Sequence, residues 1–234
     1  MSYDLQYPYA ASAGQKARAI FIRRTYAHLA GAVLALIGLE TVLLNVVDHN
    51  TVLQVMFGSR LSWVIVWLAF MAAGWVARAW ANSQTSVGLQ YLGLGLYVTA
   101  WAIMFMPLLI VAKHFDPNAI PTAAIMTGAV FGGLTLAVFV TRKDYSFLAP
   151  ILSVGSLIAL GVMIAGLAFG FSLGLFFCFA MVALASGFIL YDTSNVLHHY
   201  PTEQYVGAAL EMFASVALLF WYILQILMML NRRN

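Results

Sequence analysis

Apolar residues in this chain gather into seven long blocks, and polar residues are confined to the short gaps between them. The blocks run near Tyr26–Val47, Leu61–Ala81, Val87–Ala112, Ile120–Val140, Ser146–Phe169, Phe171–Leu197 and Tyr205–Leu230. A bilayer core about 30 Å thick needs roughly 20 apolar residues as helix, so each block is long enough to span it. None shows the period-two alternation of an outer-membrane barrel strand. The pattern predicts an all-α membrane protein with seven transmembrane helices in one domain. A polar, basic segment over residues 1–25 precedes the helical domain at 26–230, and a short polar tail over 231–234 follows it.

Composition narrows the function classes. Charged residues make up 8% of the 234 positions and hydrophobic ones 63%, against about 25% charged in a soluble domain. A soluble globule and a disordered tail are thereby excluded. Eleven Lys or Arg against eight Asp or Glu are too few for the basic groove of a nucleic-acid binder. The one cysteine, Cys178 among Phe176, Phe177 and Phe179, excludes a disulfide framework and reads as an inert core thiol. His198 and His199 are adjacent and share no helix face, so no metal pair is expected. No nucleophile–base pair and no phosphate-cradling loop is visible. The chain is read as neither an enzyme nor a cofactor carrier.

Charge placement gives an orientation. With the N-terminus cytoplasmic, that side collects Lys16, Arg18, Arg23, Arg24, Arg78, Arg142 and Lys143, and the far side holds Arg60, Lys113, Arg232 and Arg233. A re-entrant last segment would move Arg232 and Arg233 inside; its apolar length favours a full span. The basic N-terminus is not a cleavable signal, because the apolar run after it is of full length. Pro121 fits the first turn of the fourth span, and Pro107 should kink the third span or end its regular part. Gly128 with Gly132, and Gly166 with Gly170, have the spacing that allows close helix approach.

Ionisable residues at membrane depth are costly and therefore informative. Asp192 lies about 7–8 Å inside the sixth span, Glu211 about 9 Å inside the seventh, and Arg78 about 5 Å inside the second, at 1.5 Å per residue. All three depths are measured from the same side, so the three groups can share one layer. Two carboxylates there cannot both ionise cheaply, and the pair is expected to hold one proton between them. In that reading Asp192 reaches Glu211 or Ser215, and with Glu211 as the partner Ser215→Ala should do little. Glu40 belongs to the opposite half of the membrane, either neutral by burial, hydrogen-bonded within the bundle, or part of an outer vestibule.

Gly187-Phe188-Ile189-Leu190-Tyr191-Asp192-Thr193-Ser194-Asn195-Val196, Thr141-Arg142-Lys143-Asp144-Tyr145-Ser146-Phe147-Leu148 and Trp75-Val76-Ala77-Arg78 resemble, in order and spacing, the Bax inhibitor-1 family of transmembrane proteins. The resemblance runs from about Arg23 to Leu230. It implies a seven-helix fold with the last helix central, and a pH-sensitive calcium leak gated by paired membrane carboxylates locked to an Arg. By position Asp192 is the sixth-helix carboxylate and Arg78 the basic partner. Many members carry an Asp in the last helix where this chain has Ser215; its acid there is Glu211, one turn earlier. Leu218 and Gln225 likewise replace polar and basic residues. The implied ligand is Ca²⁺ or another cation. The alternatives are a non-transporting regulator that binds other membrane proteins, such as a membrane protease complex, and an intramembrane enzyme or transporter. The expected location is a bilayer, the inner membrane of a bacterium.

Overall fold

The computed structural model describes residues 9–83 and 86–231, the side chains of Phe57 and Arg60 excepted. Arg232 and Arg233, counted above for topology, lie outside the described residues, as do residues 1–8 of the N-terminal segment. Among the described residues there are eight helices: α1 (Gln15–Val46), α2 (His49–Phe57), α3 (Arg60–Ala81), α4 (Val87–Phe115), α5 (Ala119–Thr141), α6 (Leu148–Phe169), α7 (Leu175–His198) and α8 (Tyr205–Asn231). All but α2 are long and apolar enough to cross a membrane. The protein is an all-α, seven-span integral membrane protein.

Several boundaries differ from those read in the sequence; α7, for example, starts at Leu175 and not at Phe171. Helix α1 starts at Gln15 rather than near Tyr26, because Lys16, Arg18, Arg23 and Arg24 are good helix formers although polar. The gap after α1 folds into α2, capped by the Asp48 carboxylate accepting from the Thr51 amide at 2.9 Å. The Thr51 hydroxyl first, and then that N–H, hold the Asp48 carboxyl below its ordinary range. Pro107 does not end α4, which continues past it to Phe115.

Helix α8 sits in the middle. It packs against α1, α3, α4, α5 and α7, while α6 packs on α7 and reaches α8 through side chains such as Met163, whose sulfur accepts from the Tyr222 hydroxyl at 3.9 Å. Helix α4 is equally interior. Of its most apolar window 67% is buried, against 56% for α8 and 17–28% for the other spans. Both carry the aromatic core: Trp101 stacks on Phe105 with centroids 5.2 Å apart, and Phe105 meets Phe220 at 5.3 Å.

The last segment is a full span and not re-entrant. Asn231 at its end donates to the Asp116 carboxylate at 2.6 Å, and Asp116 caps the far end of α4. At the other face, the Ala10 amide donates to the Tyr200 carbonyl at 2.9 Å, and Tyr9 pairs with Pro201. The N-terminal strap is thus pinned to the α7–α8 connection, on the side where α1 begins.

Close helix approach falls on glycines other than those the spacing suggested. A Cβ on Gly128 or Gly132 would meet nothing within 4 Å. Gly170 instead closes α6 with φ +76°, where glycine is favoured. The tightest approach to another helix's backbone is Gly93 of α4 against α3: a Cβ there would lie 2.5 Å from the Ala77 carbonyl oxygen and 2.7 Å from the Ala81 nitrogen.

Candidate functional site

The Gly93 contact sets α3 against α4 one turn around Arg78, which fixes where the guanidinium can reach. Arg78 Nε donates to both oxygens of Glu211, at 2.9 and 3.0 Å. Its Nη2 donates to the Tyr97 hydroxyl at 3.2 Å, and its Cζ stands 5.1 Å over the Tyr97 ring. Tyr97 is itself held by Phe70, Trp101 and Phe213. The cation therefore bridges α3, α4 and α8.

Asp192 of α7 is buried and takes a 2.5 Å hydrogen bond from the Ser215 hydroxyl of α8 through Oδ2. Ser215 Oγ also lies 3.2 Å from the backbone carbonyl oxygen of Glu211, one turn earlier on α8. The sequence left Glu211 and Ser215 open as partners of Asp192. Ser215 is the direct one, and among the described residues no hydrogen bond joins the two carboxyl groups. The expectation that Ser215→Ala does little held only with Glu211 as the partner, and here the serine is Asp192's donor. The reason is rotational. Glu211 and Ser215 share a face one turn apart, and Arg78 draws the longer Glu side chain towards α3, leaving the shorter Ser opposite α7.

Glu40 lies away from this layer. It is buried in α1, and neither of its oxygens has a hydrogen-bond partner among the described residues. The hydrogen-bonded alternative for Glu40 is therefore not realised there. Cys178 is fully buried, with its thiol 3.6 Å from Gln225 Oε1.

Around the layer the loops add groups that sequence reading passed over. Tyr200 lies beside it, its phenol pushed up by burial and further by the Glu211 and Asp192 carboxylates. Asp144, in the α5–α6 loop, accepts from the Ser146 amide at 2.9 Å and pairs with His199 Nε2 at 2.9 Å. The amide chiefly, and then His199, hold the Asp144 carboxyl down at about 2. Ser194 of α7 bonds the same loop through the Tyr145 amide at 2.8 Å. The Tyr97 contact had one legible signal, the i, i+4 aromatic run Tyr97, Trp101 and Phe105; the His199–Asp144 pair, far apart in sequence, had none.

A cavity of about 860 Å³ opens from the charged layer. Arg78, Asp192, Glu211, Ser215 and Tyr200 line one end, and Trp63, Met163, Phe171 and Gln225 the other. Trp63 and Arg78 are fifteen residues apart on α3, so the cavity extends roughly 22 Å along the helix axes, most of the hydrocarbon thickness.

Comparison with known proteins places the chain in a family. A family model described as "Inhibitor of apoptosis-promoting Bax1" matches residues 18–232. The chain belongs to the Bax inhibitor-1 family. It is 27% identical to Protein LIFEGUARD 4 of Arabidopsis thaliana over 88% of this chain and 83% of that protein. It is 32% identical to Protein lifeguard 4 of Mus musculus over 53% of this chain and 52% of that protein. Bax inhibitor 1 of Oryza sativa is also 32% identical, over 47% of this chain and 46% of its own length. The chain thus spans about half the length of the mouse and rice relatives in these matches. The family match extends across all seven spans.

Proposed function

We propose that this Bax inhibitor-1 family protein is a proton-regulated cation leak, with Asp192, Glu211, Arg78 and Ser215 as its gate. The observation that carries the reading is the cavity: it runs most of the membrane's depth and has that layer at one end. Carboxylates at a low-dielectric mouth favour cations, and oxygen ligands suit Ca²⁺. With Asp192 protonated, the layer carries one cation against one carboxylate and α7 stays sealed on α8. With Asp192 ionised, a second negative charge faces Glu211 at poor screening, and repulsion loosens the seal. The leak then rises with pH.

Purified protein in liposomes loaded with a calcium dye tests this. Calcium entry should increase with pH in the unmodified protein. Asp192→Asn should abolish the pH response while leaving the fold intact, and Glu211→Gln should do the same. Ser215→Ala removes a donor that favours the ionised Asp192, so the leak should open at higher pH than in the parent. A pH-independent rate in the unmodified protein defeats the proposal. It would promote the second reading, a non-transporting regulator of other membrane proteins. One observation favours that alternative: Asp192 meets a serine, so the layer closes without two carboxyl groups bonded to each other.

We further take the N-terminus and the charged layer to face the cytoplasm across a bacterial inner membrane, on the strength of Lys16, Arg18, Arg23 and Arg24. Reporter fusions at the N-terminus and in the Asp116 loop should then report opposite sides, with the N-terminal one cytoplasmic. Both on one side, or the reverse, rejects the orientation.

A further inference from the structure

We propose that the cavity between α3 and α7 is a binding site for one aminophospholipid of the phosphatidylethanolamine type, its head at the Arg78–Asp192 layer and an acyl chain along α8. The argument starts from how the cavity is walled. Helix α3 packs closely on α4 and α8, and no comparable packing joins it to α6 or α7. The space in front of α8 is therefore open sideways, towards the bilayer. Its rim residues Ile164 and Phe171 are 50% and 49% exposed.

Most of the lining is apolar and aromatic: Trp67, Phe70, Trp101, Phe188, Leu218 and Trp221. An apolar cavity does not hold ordered water, and an unfilled one forfeits its packing contacts. At about 860 Å³ it falls in the range of ligand sites, and its length of roughly 22 Å exceeds one leaflet's half of a 30 Å core. An acyl chain entering sideways fits both the shape and the surface.

Polar capacity is left over at one end only. A guanidinium has five N–H donors. Arg78 uses Nε on Glu211 and Nη2 on Tyr97, and Nη1 has no acceptor among the described residues. Asp192 accepts through Oδ2, and its Oδ1 has no donor there. The free groups are thus a phosphate-binding donor edge and a carboxylate oxygen, on two residues that line the same cavity. A headgroup that carries a phosphate and a primary ammonium satisfies both. A phosphatidylglycerol brings a phosphate without the ammonium, to a layer that already holds two carboxyl groups. A choline headgroup has a cation that cannot donate a hydrogen bond. The site goes beyond the leak reading and does not rest on it; a filled cavity is closed to cations, so the two describe alternate states of one space.

The test is native mass spectrometry of the full-length protein, released from micelles containing phosphatidylethanolamine, phosphatidylglycerol and phosphatidylcholine with matched acyl chains. One phosphatidylethanolamine should be retained, favoured about tenfold over phosphatidylglycerol, the equivalent of one charged hydrogen bond. Ala214→Phe, which projects into the cavity, should remove the retained lipid. Ile158→Phe on the exposed face of α6 should not. Asp192→Asn keeps the cavity's volume and so does not depend on repacking; it should bring the ratio between the two headgroups towards one. Equal retention of all three lipids, or a ratio unchanged in Asp192→Asn, overturns the proposal. Occupancy is read on the protein itself: a chain that never leaks leaves this result standing, and a leaking chain without a preferred lipid rejects this site alone.

Discussion

Arg78→Gln is expected to destabilise the protein by about 1–3 kcal/mol. The range follows from exposure. Breaking a buried ion pair costs about 3–5 kcal/mol because the remaining charge is stranded, whereas exposed pairs contribute about 0–1. Arg78 and Glu211 side chains are 42% and 24% exposed, so the pair lies between those limits. The loss includes the Tyr97 contacts, which tie α3 to α4. Glu211→Gln should cost less, because Arg78 keeps Tyr97. The double variant should be more stable than the sum of the single losses implies, since neither partner is then left alone. Thermal unfolding in detergent of the four proteins completes the cycle. Additivity within about 0.5 kcal/mol would show that the pair is not a coupled unit.

Gly93→Ala should destabilise by about 1–3 kcal/mol, while Gly128→Ala should be neutral or stabilising. In a helix interior alanine is favoured over glycine by about 1 kcal/mol, and both substitutions gain that term. At Gly93 it is outweighed. The added methyl meets the Ala77 oxygen at 2.5 Å and the Ala81 nitrogen at 2.7 Å, and backbone atoms cannot step aside as a side chain can. Overpacking of this kind costs about 1–3 kcal/mol or more, and α3 must be pushed off α4. At Gly128 the methyl meets nothing within 4 Å. Because Ala77 and Ala81 flank Arg78, the Gly93 variant should also weaken the Arg78–Glu211 contact and raise the basal leak. Unfolding temperature and calcium entry, measured together, check both parts. Equal behaviour of the two glycine variants would remove the α3–α4 contact as the determinant of where Arg78 sits.

The sequence by itself determined the number of spans and the short list of residues worth attention. Those properties are local sums: a run of apolar residues is long enough to cross or it is not, and a charge within such a run is costly wherever its neighbours lie. It also placed Asp192, Glu211 and Arg78 at one depth, because helical rise converts residue number directly into depth. What the sequence left open was rotation and contact. Each residue turns about 100° around a helix axis at 3.6 residues per turn, so small changes in tilt or rotation exchange one neighbour for another at constant depth. Only the tertiary structure decided that Glu211 turns to Arg78 and Ser215 to Asp192. It likewise decided that Tyr97 supports the cation, that Asn231 meets Asp116 on the far side, and that Gly93 makes the close approach while Gly128 and Gly132 face open space. The cavity is of the same kind. It exists because α3 leans on α4 and α8 and leaves α6 and α7 unpartnered on that side, an arrangement of whole helices that no stretch of sequence encodes alone.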